Sequence, residues 1–565
     1  MKNHAKCNLR NESVPPPNRP RRLIYVGSLD GSEPPRLEEG ERSEGDYVTL
    51  SYRWGDASTI TKTTTETISQ FQDRLPLDSL SKVFRDAIEF TKTIGIKYIW
   101  IDSLCIVQDD VQEKAREIST MSAIYEGSVL TLSATLSTSG DSVLLSDREY
   151  FDLIKVSEPK NGEPFALYVT DQAFSDFTKD VPNGVLAGRA WCFQERLLSR
   201  RLLHFGRNQL HWECFEGIWS ECSTKRQWYD EFSSIDDGEL RTSLHSYYTF
   251  SEKPSAVVIG PIEEGGTERL DTEWNKALTS SDELPQDTYS GEKRSVYDAW
   301  YQAVSAYTNR ELSSYWDKLP ALAGAAVRFN VVIRDNYGAG IWADDLPQGL
   351  LWSRSAFERV QVNPNIAKRL GVGGWGEMNG DADQRWRGAP SWSWASVEGP
   401  VHWVRNRQGP VHIGPDALMT KPSGDFAYSG VEWGAIRVRG QLLEAQKLSW
   451  IRNEAKSQET QSEFEKWFAE QPLSSRPQLD PDDPGWEEKL AEAGQSGPLY
   501  FLLICSIPLI SSQQTEQETQ MPGYLLGYAL MLRYWPADGA FRRVGIAKVA
   551  LADFMNASPN DIYVL

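Results

Sequence analysis

Between Tyr47 and Thr135 the spacing of apolar residues alternates between strand and helix periods, and that order restricts the fold more than any other feature of the chain. In YVTLSYRWG, Val48, Leu50 and Tyr52 alternate with Thr49, Ser51 and Arg53, a period of two that predicts a strand ended by the Gly55-Asp56 turn. From Asp78 the period lengthens. Leu80, Val83, Phe84, Ala87, Ile88, Thr91 and Ile94 recur at helical spacing, with Asp78 or Ser79 as N-cap and Gly95 at the stop. KYIWID is a near-continuous apolar run of the kind buried on both faces of a parallel sheet. A second helix is expected over roughly Asp110 to Glu126, with Val111, Ala115, Ile118, Met121, Ser122 and Tyr125 on one side, and SVLTLSA follows as the third strand. A β-α-β-α-β run with right-handed crossovers implies an α/β fold, a three-layer doubly wound parallel sheet. Ligands of such sheets bind outside the carboxyl ends of the strands, which here are Ser51-Tyr52-Arg53-Trp54, Asp102-Ser103 and Ser133-Ala134-Thr135.

With 565 residues the chain exceeds one typical core, so further domains are expected. Residues 1–45 are rich in Pro, Glu and Ser and are expected to be mobile; the α/β domain spans 46–222 and includes RLLHFGRNQLHWECFE, a hairpin turning at Gly206-Arg207-Asn208. Polar, turn-rich residues 223–292 form an insertion or linker, 293–445 a mixed α+β, β-rich block, 446–496 a charged linker, and 497–565 a strand-rich end. A net charge of -20 opposes binding to a phosphate backbone, so no nucleic-acid partner is expected. The longest apolar run, YFLLICSIPLI, is too short to span a bilayer, and six cysteines without CxxC spacing fit a reducing compartment. The expectation is a cytoplasmic protein, with the NRPRR cluster leaving nuclear import open.

Four segments, YVTLSYRWG, KYIWIDSLCIVQDD, EISTMSAIYEGSVLTLSAT and GRAWCFQERLLSRRLLHF with QLHWEC, resemble in order and spacing the fungal heterokaryon-incompatibility (HET) domain family over about residues 47 to 222. Downstream, YWDKLPALAGAA, GAGIWADDLPQGLLW and APSWSWASVEGPV resemble the region that usually follows that domain. The resemblance implies a role in non-self recognition between fungal strains and in triggered cell death, with self-association and a protein partner that the sequence does not identify. It also implies a flavodoxin/TIR-like sheet. Some TIR domains hydrolyse NAD with a glutamate in a W-C-x-x-E-like helix, which RAWCFQERLL resembles, so the family pattern falls on Glu195, with NAD as substrate and no resident cofactor. Residues 135 to 190 separate SVLTLSA from Trp191, whereas the TIR helix follows its strand closely.

Releasing nicotinamide builds positive charge on the ribose while a neutral group departs, which calls for a fixed carboxylate and no general acid. Trp191 and Glu195, four apart on a helix, share a face and set an aromatic surface beside the acid. The alternative use of Glu195 is an ion pair with Arg189, Arg196 or Arg53. Arg53 and Trp54 suit a pyrophosphate and a base, or a packed corner; Asp102, with Ser103 and Ser51, suits a ribose hydroxyl, or caps the next turn. Cys105 has no histidine placed beside it and reads as core. His204, His211, Cys214 and Cys222 are enough ligands for zinc, but on the expected strand His211 and Cys214 point to opposite faces, so no metal site is expected. GVGGWG at 371–376 matches G-x-G-x-x-G without a strand before it or a helix after it, and reads as a loop. The tryptophans of SWSWASVEG and GIWADDLPQGLLW are expected to build a core.

Overall fold

A computed structural model describes residues 4–8, 19–55, 60–137, 144, 154–156, 167–169, 177–221, 240–241, 244, 291–354, 389–404, 413–423, 428, 430–444, 447, 478–481, 499–507, 526–535, 540–554 and 557–565. They fall into two compact units: Met1–Ala256 with Arg310–Leu312 and Pro320–Val332, and Val257–Asn309 with Ser313–Leu319 and Ile333–Leu565.

The first unit is built as the periodicity predicts. A short helix α1 (Ala5–Asn8) and strands β1 (Arg22–Tyr25) and β2 (Arg36–Glu39) precede β3 (Tyr47–Ser51). Helices α2 (Ile68–Asp73) and α3 (Lys82–Thr93) lead to β4 (Tyr98–Trp100), and α4 (Asp102–Cys105) and α5 (Val111–Gly127) lead to β5 (Leu130–Ser133). A separate two-stranded pair, β6 (Ile154–Val156) with β7 (Leu167–Val169), precedes α6 (Phe177–Asp180) and α7 (Ala190–Leu198). The chain then runs through β8 (Arg201–Phe205), β9 (Leu210–Cys214) and β10 (Gly217–Ser220).

Eight strands form one sheet in the order β10-β9-β8-β5-β3-β4-β1-β2. Its centre, β4-β3-β5-β8, is parallel. Counted along the chain these four are strands 2-1-3-4, the start of the flavodoxin-like order 2-1-3-4-5. Right-handed crossovers in opposite directions put α3 and α5 on opposite faces, and α7 packs beside α5. Val48, Leu50, Phe84, Ile99, Trp100 and Leu132 are fully buried between these layers.

The sheet departs from the expected all-parallel one at both edges, where β1, β2, β9 and β10 pair antiparallel. The tight turn after Phe205 has no room for a crossover, so the chain must reverse there. At the other edge, segment 1–45 is not mobile throughout. Leu23, Ile24 and Leu37 of β1 and β2 are buried, a short apolar run that the Pro/Glu/Ser composition around it concealed.

Local chemistry sets the helix ends. Asp110 caps α5, its side chain accepting from the Glu113 amide at 2.9 Å. Asp110→Ala should destabilise this unit by about 1 kcal/mol, read as a lowered urea midpoint. The cap of α3 falls at Ser81 rather than Asp78 or Ser79, because Leu77–Ser79 form a 3-10 turn first, and Gly95 at φ +78 ends the helix region. On α5 the buried side is only partly the one the apolar spacing marks: Met121 and Tyr125 are buried, but Val111 is 81% exposed, and Glu113 and Glu117 turn inward with Ile124. Arg22 draws Glu113 inward with two bonds, Nη1 to Oε1 at 2.6 Å and Nη2 to Oε2 at 2.8 Å.

The second unit carries the helix Gly291–Thr308 and a seven-stranded sheet whose main path joins Ile413–Pro422, Val431–Glu444, Leu499–Ile507, Leu526–Trp535, Ala540–Ala550 and Gln478–Pro481 in that order, with Pro559–Val564 alongside. Gln478–Pro481 lies inside the stretch expected as a linker. The tryptophans do build the core: Trp300, Trp342, Trp352, Trp392 and Trp394 are fully buried. Trp300 and Trp394 both donate to the Gly340 carbonyl, at 3.2 and 2.9 Å. A side chain at Gly340, which sits at φ +91, would meet the Trp394 ring. Among the described residues no helix is long and apolar enough to cross a membrane. GVGGWG, Cys222 and nearly all of the 223–292 insertion lie outside the described residues.

Candidate functional site

The strand order fixes where a site can form. The chain leaves β3 for β4 on one side and returns to β5 on the other, so the carboxyl ends of β3 and β5 flank the crevice where the order reverses. Ser51 and Ser133 face each other in register at those ends. Helix α7 brings Glu195 to this place, and Ser51 Oγ donates to Glu195 Oε2 at 2.5 Å. The long separation between SVLTLSA and Trp191 therefore does not keep the two elements apart. At the helix end, Ser199 Oγ donates to the Glu195 carbonyl at 2.6 Å and shares a bond with Thr131 Oγ1 of β5 at 2.6 Å, anchoring α7 to the sheet.

Glu195 is 7% exposed, yet the arginines offered by the sequence do not pair with it. Arg196 binds Glu213, Arg189 Nη1 donates to the Tyr52 carbonyl at 2.6 Å, and Arg53, half-buried, makes no hydrogen bond or ion pair among the described residues. The expected alternative of an ion pair is thus not realised among the described residues. Burial pushes the Glu195 carboxyl up to about 7 against the pull of the Ser51 hydroxyl and the Arg189 charge, and Asp102 adds to the rise. A buried carboxyl shifted towards neutral pH, with no ion pair to hold it among the described residues, marks a candidate functional site.

Asp102 is occupied by its neighbours. Its Oδ1 accepts from Tyr52 Oη and from the Ser103 amide, both at 2.7 Å, and its Oδ2 accepts from Trp54 Nε1 at 2.7 Å. Burial raises its pKa and these three donors oppose the rise. Asp102 thus fixes Tyr52 and Trp54 in place and leaves little lone-pair capacity for a sugar hydroxyl. Trp54 and Trp191 are half-buried and pack on the same core; Ser103 Oγ is fully buried with no hydrogen-bond partner among the described residues. Tyr52, set edge-on to Phe84 at 5.0 Å, and Tyr125, whose Oη donates to the Leu50 carbonyl at 3.2 Å, complete the wall. Tyr125 reads in the sequence as a core position and Tyr52 as part of the ligand-binding strand end, and their hydroxyl bonds distinguish them.

The thiols of Cys105 and Cys192 are each pushed up to about 12 by burial, so neither is a nucleophile at neutral pH. The histidines face each other across β8 and β9, and each is engaged by a separate acid. His204 Nε2 lies 2.7 Å from Glu213 Oε2, and His211 lies 3.2 Å from Asp180 Oδ2 and 2.8 Å from Ser220 Oγ.

Fold and site together define an α/β domain of flavodoxin-like strand order with a buried carboxylate at its switch point. Residues 47–195 match the family model described as Heterokaryon incompatibility protein (HET), a segment that begins with β3 and ends on Glu195. The resemblance carried by the sequence motifs is supported over that segment. No curated protein and no solved structure matches the chain significantly.

Proposed function

We propose that this chain is a heterokaryon-incompatibility-type effector whose α/β domain cleaves NAD as TIR-like enzymes do, in fungal non-self recognition, innate immunity and programmed cell death. The observation that carries the reading is Glu195, buried beside Ser51 at the switch point with no ion pair among the described residues. In this reaction the glycosidic bond breaks with its electron pair going to the nicotinamide nitrogen, and water forms the new bond to the ribose carbon and loses a proton. The Glu195 carboxylate stabilises the positive charge that develops on the sugar. Arg53, unengaged at the exit of β3, supplies charge for the pyrophosphate, Trp54 and Trp191 supply ring surface, and Asp102 and Ser103 hold this wall in position.

Nicotinamide release by the purified chain should rise with pH through about 7, as Glu195 ionises, and level off above it. Glu195→Gln should lower release by about a hundredfold or more with an unchanged circular dichroism spectrum. Ser51→Ala should move the midpoint of the pH profile upward, because the Ser51 hydroxyl favours the charged carboxylate. A second reading, a non-enzymatic module acting by homotypic assembly with an unidentified protein partner, is favoured by the 7% exposure of Glu195 and by the commitment of Asp102 to its neighbours. Absence of release at concentrations that drive self-association would decide for it.

A further inference from the structure

We propose that His4, Cys7 and Cys214 form a zinc site that fastens the N-terminal segment to the edge of the eight-stranded sheet. One ligand atom from each residue lies within 4.8 Å of the other two, and His4 Nδ1 is 3.3 Å from Cys214 Sγ. Ligands about 2.0 to 2.3 Å from a tetrahedral zinc stand roughly 3.5 to 3.8 Å from one another, so these atoms need to move little to share one ion. Both thiols are fully buried, while His4 is half-exposed and closes the cluster from outside.

The surroundings of Cys214 fit the thiolate that zinc requires. The Glu216 amide donates to Cys214 Sγ at 3.4 Å, a backbone donor of the kind that stabilises a metal-bound sulfur. His4 stacks on Trp219 of β10 with ring centroids 5.3 Å apart, which fixes the plane of the imidazole. The Lys6 amide donates to Glu216 Oε1 at 2.9 Å and Arg201 Nη2 donates to Asn8 Oδ1 at 2.5 Å, so α1 is docked on both sides of the cluster before any metal is counted. Two sulfurs and one imidazole select a soft or borderline ion over magnesium or calcium. Three protein donors leave the fourth position to solvent or to another side chain. The site differs from the set considered in the sequence, sharing only Cys214 with it, and stands apart from the Glu195 crevice and from any role assigned there.

The full-length chain, purified without chelator and dialysed, should hold about one zinc per molecule by elemental mass spectrometry. Cobalt added to the metal-free chain should give the thiolate-to-metal charge-transfer band of a tetrahedral sulfur site. Cys7→Ser should abolish both. His4→Ala, which alters a half-exposed side chain and should fold normally by circular dichroism, should weaken zinc at least tenfold in competition with a chromophoric chelator. Failure of the metal-free chain to take up zinc or cobalt would overturn the proposal, as would zinc retained unchanged in both variants. A Cys7–Cys214 disulfide found by mass spectrometry of the unreduced chain would overturn it in favour of a redox cross-link.

Discussion

Glu213→Ala is expected to cost about 3–5 kcal/mol of unfolding free energy in the first unit. Glu213 is fully buried on β9 and joins three groups of like charge capacity. Its Oε2 lies 3.0 Å from Arg196 Nε and 2.7 Å from His204 Nε2, and its Oε1 lies 3.2 Å from Arg196 Nη2 and 3.9 Å from Arg241 Nη1. Burial by itself would raise the acid, but Arg196, His204 and Arg241 together hold it well below the usual carboxylate range. Alanine would leave the desolvated Arg196 and Arg241 guanidinium groups without the anion that Glu213 supplies. Hydrogen exchange of the β8 and β9 amides reads this unit apart from the other, and a loss below about 1 kcal/mol would show that the arginines find other partners cheaply.

Glu195→Gln is expected to act in the opposite direction, stabilising the chain where the carboxylate is charged. The Glu195 carboxyl titrates near 7 in the folded chain against 4.5 as its ordinary value, so its contribution to stability is complete below about 4.5 and lost as pH rises through about 7. Glutamine keeps an acceptor for Ser51 and never carries the charge. The variant should therefore match the parent chain near pH 4 and exceed it by about 2–3 kcal/mol at pH 8. A glutamine variant less stable than the parent at pH 8 would mean that the carboxylate is paired after all. The comparison is needed because His204 opposes the effect. Burial, against the pull of Glu213, lowers that imidazole from 6.5 to about 4, so its contribution to stability is lost as pH falls from 6.5 towards 4. Between pH 4.5 and 6.5 the two slopes offset each other in the parent chain, and only the difference curve isolates Glu195.

Stability and activity then diverge at one atom group. The replacement expected to remove the proposed chemistry is the one expected to relieve the cost of burying a charge, the trade-off between stability and activity that the proposed function entails.

The central β3-α3-β4-α5-β5 path was legible in the sequence because its apolar residues change period cleanly, and the β8–β9 hairpin because Gly206-Arg207-Asn208 marks its turn. The meeting of Ser51 with α7 was not legible, because the long separation between SVLTLSA and Trp191 left the place of that helix open. What stayed hidden depends on long-range choices. Arg196 turns to Glu213 and Arg189 to a carbonyl, and no local pattern says which way an arginine will reach. Glu113 faces inward only because Arg22, ninety-one positions earlier, meets it. Strand β10 is four residues without alternation, and β1 and β2 are four each in polar surroundings. His4 and Cys7 stand 210 and 207 positions from Cys214, a distance at which ligand spacing carries no signal.

Among the described residues the sheet ends on short strands at both sides. Its outermost strands, β2 and β10, are four residues long, and β2 carries the half-buried pair Arg36 and Glu38, 2.7 Å apart. Short edge strands, and on β2 the charged pair, disfavour strand addition. If copies of this domain assemble, the geometry directs them to meet through helix faces and loops, giving an array that a point change on a helix can dissolve without unfolding any subunit.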